Sequence, residues 1–168
     1  MLQKYRGQYE AGIQSLQRCL ELNPSFLPAR GQMGALLTRI GQPQKGLETI
    51  QETIRLATPN DPAMGFWYLF AGDAELELGH EQAALGWILR ANTVMPGSPL
   101  VQAWLASVYA NMGDRPNAAK YVAALKRMAP AGAERFAGLK FKADVPANGR
   151  RRPRMLEGLR LALTAPLG

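Results

Sequence analysis

The sequence predicts an all-α protein built from stacked helical hairpins, and three observations carry the prediction. Glycines recur in register, at spacings of 34, 38 and 34 residues. A small residue follows each of them five positions later, and an aliphatic residue follows nine positions later. The recurring glycines are Gly7, Gly41, Gly79 and Gly113. A period of about 34 residues with small residues at fixed offsets is typical of solenoids, in which each helical hairpin buries its apolar face against its neighbours.

The first third of the chain carries three predicted helices. Apolar residues three and four positions apart predict a helix over 8–22, and Pro24 ends it because proline cannot continue a helix. The same spacing predicts helices over 27–40 and 43–56. Gly41 supplies the turn between these two helices, since glycine adopts positive φ without a steric cost.

Two breaks rich in proline and other turn residues, at 58–62 and 96–99, divide the part that follows. Each break precedes a pair of helices joined by a glycine turn. The predicted helices are 63–78 with 81–94, and 100–112 with 115–128.

Glycines within the predicted helices indicate close packing. A glycine in a helix interior costs about 1 kcal/mol relative to alanine, so its presence favours a site where two helices approach closely. Four such positions are Gly12, Gly34, Gly46 and Gly72. The tryptophans, at 67, 87 and 104, are interpreted as core residues.

Residues 7–24, GQYEAGIQSLQRCLELNP, resemble the second half of the tetratricopeptide repeat (TPR). The resemblance covers residues 1–130 and implies a right-handed solenoid of about three and a half repeats. Thr58 departs from the motif by replacing a closing proline, and Arg30 and Gln102 stand where an aromatic residue is often found. The implied units are a half repeat at 1–26 and repeats at 27–60, 61–98 and 99–130, followed by an extension at 131–168.

The register predicts a turn at Gly7, preceded only by residues 1–6, so the first unit contains half a hairpin. This predicts uncovered apolar surface at that end. We therefore expect either that the chain is the C-terminal part of a longer protein or that it forms a homodimer through the N-terminal half repeat.

In the TPR family, the first helix of each hairpin lines a concave groove that binds a protein or peptide. The resemblance assigns nine residues to this groove: Thr38, Arg39, Phe66, Leu69, Asp73, Glu77, Leu100, Ser107 and Asn111. Alternatively, Phe66, Leu69 and Leu100 only pack helix on helix. Some TPR co-chaperones clamp a peptide carboxylate with charged groove residues. Here those positions hold Gly31, Ala35, Phe70, Leu100 and Trp104, so a chaperone-tail function is disfavoured.

The extension at 131–168 carries most of the basic charge, with 8 Lys/Arg against 3 Asp/Glu, while residues 1–130 hold 12 against 10. Its arginine cluster is followed by apolar residues at helical spacing, which predicts a short amphipathic helix over 155–163. The cluster consists of Arg150, Arg151, Arg152 and Arg154. It is interpreted as a solvated linker that contacts the helix of the last repeat. An acidic partner or anionic lipid, or nucleic acid, are the weaker alternatives.

The segment MLEGLRLA, residues 155–162, resembles the segment that closes the C-terminal TPR region of some bacterial regulators. The break TPNDP, residues 58–62, resembles the extended loop between repeats in the same group. Those proteins carry a class III adenylate cyclase domain or a winged-helix DNA-binding domain. The resemblance implies an alternative function, as a regulatory or dimerisation region of such a signalling protein.

No set of residues for catalysis, a metal or a cofactor is found in the sequence. His80 is the only histidine and Cys19 is the only cysteine. One histidine and one distant cysteine are too few ligands for a metal site. The single cysteine fits a reducing compartment, and we expect a cytoplasmic protein with Cys19 buried as a small apolar residue. No apolar stretch is long enough to span a membrane, and no signal peptide is visible. The sequence therefore predicts a non-catalytic scaffold for protein–protein interaction.

Overall fold

The computed structural model describes residues 2–132 and 154–164, with side chains from residue 8 onward. All regular structure within these residues is helical, so the predicted all-α class is confirmed. The bounds of α2 to α7 differ from the predicted ones by at most one residue. The helices are α1 Leu2–Leu22, α2 Leu27–Arg39, α3 Pro43–Leu56, α4 Met64–Leu78, α5 Glu81–Val94, α6 Pro99–Asn111, α7 Arg115–Met128 and α8 Arg154–Thr164.

Three hairpins, α2/α3, α4/α5 and α6/α7, form the body of the array, and their turns are alike. Gly41, Gly79 and Gly113 have φ angles of 86°, 87° and 77°, in the region where a side chain would be strained. The amide after each glycine bonds back to the carbonyl five residues earlier, as in His80 to Glu75 at 2.9 Å. These bonds satisfy carbonyl groups that the end of a helix leaves open.

The predicted turn at Gly7 is wrong. Helix α1 runs without interruption from Leu2 to Leu22 and passes through Gly7, and it packs against α2. The physical reason is that continuing a helix costs much less than nucleating a second one, and a single interior glycine is tolerated at about 1 kcal/mol. The first unit is therefore one long helix, and three complete hairpins follow it.

The four helix glycines predicted to mark close packing, Gly12, Gly34, Gly46 and Gly72, lie where two helices touch. A Cβ atom added to Gly34 would lie 2.6 Å from Ile50 Cγ1 and 2.9 Å from the Gly46 carbonyl oxygen. A Cβ on Gly72 would lie 2.8 Å from Ile88 Cγ1. Such distances are shorter than van der Waals contact, so only glycine permits these helix approaches.

The tryptophans serve different purposes. Trp67 and Trp104 are buried, and Trp67 joins the first two hairpins by packing over Gly31 of α2, where a Cβ would lie 2.5 Å from its indole nitrogen. Trp87 departs from the core interpretation in part: it packs against the cluster that contains Ile50 and Trp67 but is only partly buried. The guanidinium of Arg90 lies 4.7 Å from its ring centroid, which is a cation–π contact.

Candidate functional site

In the first helix of each hairpin, two residues stand at fixed distances before the turn glycine. Together these residues form a repeated ladder along α2, α4 and α6. These positions stand six and two residues before the glycine, so they are one helical turn apart and share a face. The ladder consists of Ala35 and Arg39 on α2, Asp73 and Glu77 on α4, and Ser107 and Asn111 on α6. Five of the nine residues predicted for the groove belong to it.

Arg39 and Asp73 connect α2 to α4 across this ladder. Arg39 Nη2 lies 3.4 Å from Asp73 Oδ2, and the Asp73 side chain is 6% exposed. The second carboxyl oxygen, Oδ1, is buried and has no hydrogen-bond partner among the described residues. Burial raises the pKa of Asp73 to about 6, Arg39 opposes the rise, and Glu77 adds to it. Neutral and charged forms of this carboxyl are thus both accessible near neutral pH.

An apolar edge lies beside this pair. Phe66, Phe70, Asp73 and Glu77 are spaced four, three and four residues apart, which places them on one face of α4. Phe66 is 46% exposed. Leu100, at the equivalent position of the next hairpin, is 41% exposed. Equivalent positions of successive repeats are neighbours in a solenoid, so we expect the two exposed apolar residues to lie on one edge.

The α6 part of the ladder is covered by α8. Ser107 is fully buried, and its Oγ donates a hydrogen bond of 2.6 Å to the Met155 carbonyl oxygen. Asn111 Nδ2 donates to the Arg154 carbonyl oxygen at 3.0 Å. The predicted groove is therefore occupied over its last third by the C-terminal helix of the same chain.

Two of the predicted groove residues are corrected, because they are buried within the repeats. Thr38 is 5% exposed; its Oγ1 donates to the Gly34 carbonyl at 3.2 Å and lies against Gly46 of α3. Leu69 is 1% exposed and belongs to the cluster that includes Ile88 and Trp104. The alternative of helix-on-helix packing therefore applies to Leu69, whereas Phe66 and Leu100 keep exposed surface.

The interpretation of the arginine cluster as a solvated linker is also corrected at Arg154, the one residue of the cluster that the structure describes. Arg154 contacts the turn between α4 and α5 through Leu76 and Glu81, in addition to the last repeat. Arg150, Arg151 and Arg152 lie outside the described residues. The predicted amphipathic helix is found as α8. Gly158, in the interior of α8, lies in close contact with α6, and this interior glycine is the sequence signal from which that contact could be predicted.

His80 and Glu75 form a separate pair at the α4–α5 turn. His80 Nδ1 lies 2.9 Å from Glu75 Oε2, with the His80 side chain 61% exposed. Among residues 2–132 and 154–164, no group of three or more His, Cys, Asp or Glu side chains is placed to hold a metal ion. No helix in the same residues is long and apolar enough to cross a membrane.

The class of fold is a helical-repeat solenoid of the kind found in TPR proteins, and solved structures with this architecture are similar to the chain. MamA matches with a TM-score of 0.64 and 19% identity over 95% of this chain and 90% of MamA. YrrB, described as a TPR protein with an unusual peptide-binding site, matches with a TM-score of 0.58 and 20% identity over 96% of this chain and 80% of YrrB. No protein-family model and no curated protein sequence matches the chain.

Proposed function

We propose that this protein is a non-catalytic scaffold that binds a protein or peptide segment along the face formed by α2, α4 and α6. The observation that carries the proposal is the exposed apolar edge of Phe66 and Leu100 beside the Arg39–Asp73 pair. Exposed aromatic and aliphatic side chains flanked by charged groups are the usual composition of a peptide-binding surface. The fold shared with YrrB, whose description names a peptide-binding site, supports the same function.

A peptide selected from a displayed library against the full chain tests this proposal. We expect Phe66→Ser to weaken binding of the selected peptide at least tenfold, because the apolar anchor is lost. Phe26→Ser is the matched control, since Phe26 is 43% exposed but stands before the first residue of α2 rather than on α4 or α6, where the exposed apolar residues are. Equal losses in the two variants, or none in either, would exclude the proposed face.

The homodimer through the first unit remains a separate proposal. Leu22 of α1 is 77% exposed and Tyr9 is 36% exposed, and such surface favours association. Light scattering over a concentration series measures it directly: a mass that falls to the monomer value on dilution supports the dimer, and a constant monomer mass rejects it.

The finer assignments continue as proposals. A reducing, cytoplasmic location rests on the single cysteine, Cys19, which is partly buried rather than fully buried. The alternative function, as the regulatory region of a bacterial adenylate cyclase or winged-helix regulator, rests only on the short resemblances at 58–62 and 155–162, and the similar structures add no support to it.

A further inference from the structure

The start of α8 is held by three groups from α4 and α5. The backbone amide of Arg154 donates to Glu77 Oε1 at 2.7 Å, so a carboxylate from another helix satisfies an amide that the helix start leaves open. Arg154 Nη1 donates to the Leu76 carbonyl oxygen at 3.1 Å. Its Nη2 forms an ion pair with Glu81. An arginine is therefore recognised at the negative end of α4, where the helix dipole also favours a cation.

The middle of α8 is held by close steric fit against α6 and α7. A Cβ on Gly158 would lie 2.6 Å from Ser107 Oγ and would also overlap the Asn111 amide, so the contact excludes any larger residue. Leu159, the next residue, is 1% exposed and packs in a cluster with Val122 and Leu125 of α7. The contacts at Asn111 and Ser107 follow α8 from its start toward its middle, while Ala103 joins the cluster that contains Leu159 and Ala162. Helix α8 thus runs antiparallel to α6.

We propose that this surface is a recognition site for helices with the pattern Arg-x-x-x-Gly-Leu-x-x-Ala, and that α8 is its internal occupant. The site distinguishes four positions: a cation at the first, no side chain at the fifth, leucine at the sixth and alanine at the ninth. A partner helix with this pattern competes with α8. The inference rests on the proposed scaffold function and adds the chemistry of the partner and the means by which the chain blocks it.

Competition follows from the connection between α8 and the array. A tethered segment acts at an effective concentration on the order of millimolar, so a free helix of equal intrinsic affinity binds poorly while α8 is in place. Weakening α8 in the full chain opens the site without changing the residues of α4, α5, α6 and α7 that form it.

The experiment uses the full chain carrying Gly158→Leu and a fluorescent peptide of residues 150–166 with the natural sequence. We expect the variant to bind this peptide at least tenfold more tightly than the unsubstituted chain, measured by fluorescence anisotropy. A peptide with the same charges but with Gly158→Leu is the control for non-specific attraction by arginines, and it should bind neither chain. Leu161→Ala in the full chain alters an α8 residue that is 41% exposed, so it should leave the site blocked.

Equal binding of the natural peptide to the Gly158→Leu chain and the unsubstituted chain would overturn the inference, as would equal binding of the two peptides. Should Gly158→Leu prevent folding, the chain with Arg154→Glu weakens α8 while it keeps the glycine contact, and the same increase in peptide binding is expected. If both variants fail to fold, α8 is part of the core and the inference fails.

A further substitution separates this inference from the proposed function. Phe66→Ser in the Gly158→Leu chain should leave binding of the α8 peptide unchanged. Loss of binding would place the peptide on the apolar edge, which would support the scaffold function and reject the α8 surface as a separate site.

Discussion

Two glycines in this array should respond to alanine in opposite directions. Gly34→Ala should destabilise the protein by roughly 1–3 kcal/mol, because the new methyl would meet Ile50 and the Gly46 backbone. Gly86→Ala should stabilise it by about 0.5–1 kcal/mol, since a Cβ there meets nothing within 4 Å and alanine favours the helix. Urea unfolding of both variants measures the difference. Changes of the same sign would show that helix propensity, rather than contact, governs these sites.

Asp73 should make stability fall as pH rises. Its pKa in the folded protein, about 6, is higher than its ordinary value of 3.8. Between these two pH values the folded state binds more protons than the unfolded state, so stability decreases with rising pH and levels off above pH 6. The change is about 3 kcal/mol at most. Asp73→Asn should remove this decrease, as measured by urea unfolding from pH 4 to pH 7.

Asp114 offers a control of opposite sign. It caps α7 by accepting a hydrogen bond from the Asn117 amide at 3.1 Å, and bonds to Asn117 lower its pKa. Its contribution to stability is present above its ordinary pKa and is lost on acidification. Asp114→Asn should therefore leave the decrease between pH 4 and pH 6 in place. Removal of the decrease by this variant instead would contradict the role assigned to Asp73.

At the level of a helix, α8 contributes to stability through one side of its surface. Leu159→Ala should destabilise the protein by about 2–3 kcal/mol, because Leu159 is buried against α7 and its loss leaves a cavity. Leu161→Ala, at an exposed position of the same helix, should change stability by less than about 0.5 kcal/mol. Thermal melting compares them. Similar shifts in melting temperature would mean that α8 is not docked as described.

At the level of the whole molecule, perturbations should stay local, since each hairpin of a solenoid contacts only its neighbours. Leu159→Ala should reduce amide hydrogen-exchange protection in α6 and α7 and spare α2 and α3. Gly34→Ala should show the reverse distribution. Mass spectrometry of peptides from each helix measures both. Uniform loss of protection in either variant would indicate one cooperative unit instead of a chain of coupled repeats.

The helical class, the three hairpins and the bounds of their helices could be predicted from the sequence alone. This follows because the signals are local: turn glycines such as Gly79 require positive φ, proline ends a helix, and apolar spacing marks the face that packs. The close contact at Gly72 could also be predicted, since a glycine in a helix interior lowers stability and is favoured where two helices approach closely. The same reasoning was wrong at Gly7. This glycine shares its register with the three turn glycines, but α1 continues through it without a turn.

Which parts of the predicted groove are open depends on tertiary contacts. Register placed Asp73 and Ser107 at equivalent positions, yet one pairs with Arg39 and the other is covered by α8. Burial of Thr38 depends on how closely α3 approaches, and docking of Arg154 on the α4–α5 turn joins residues more than seventy positions apart. Such contacts depend on the relative placement of distant segments, which no local spacing encodes.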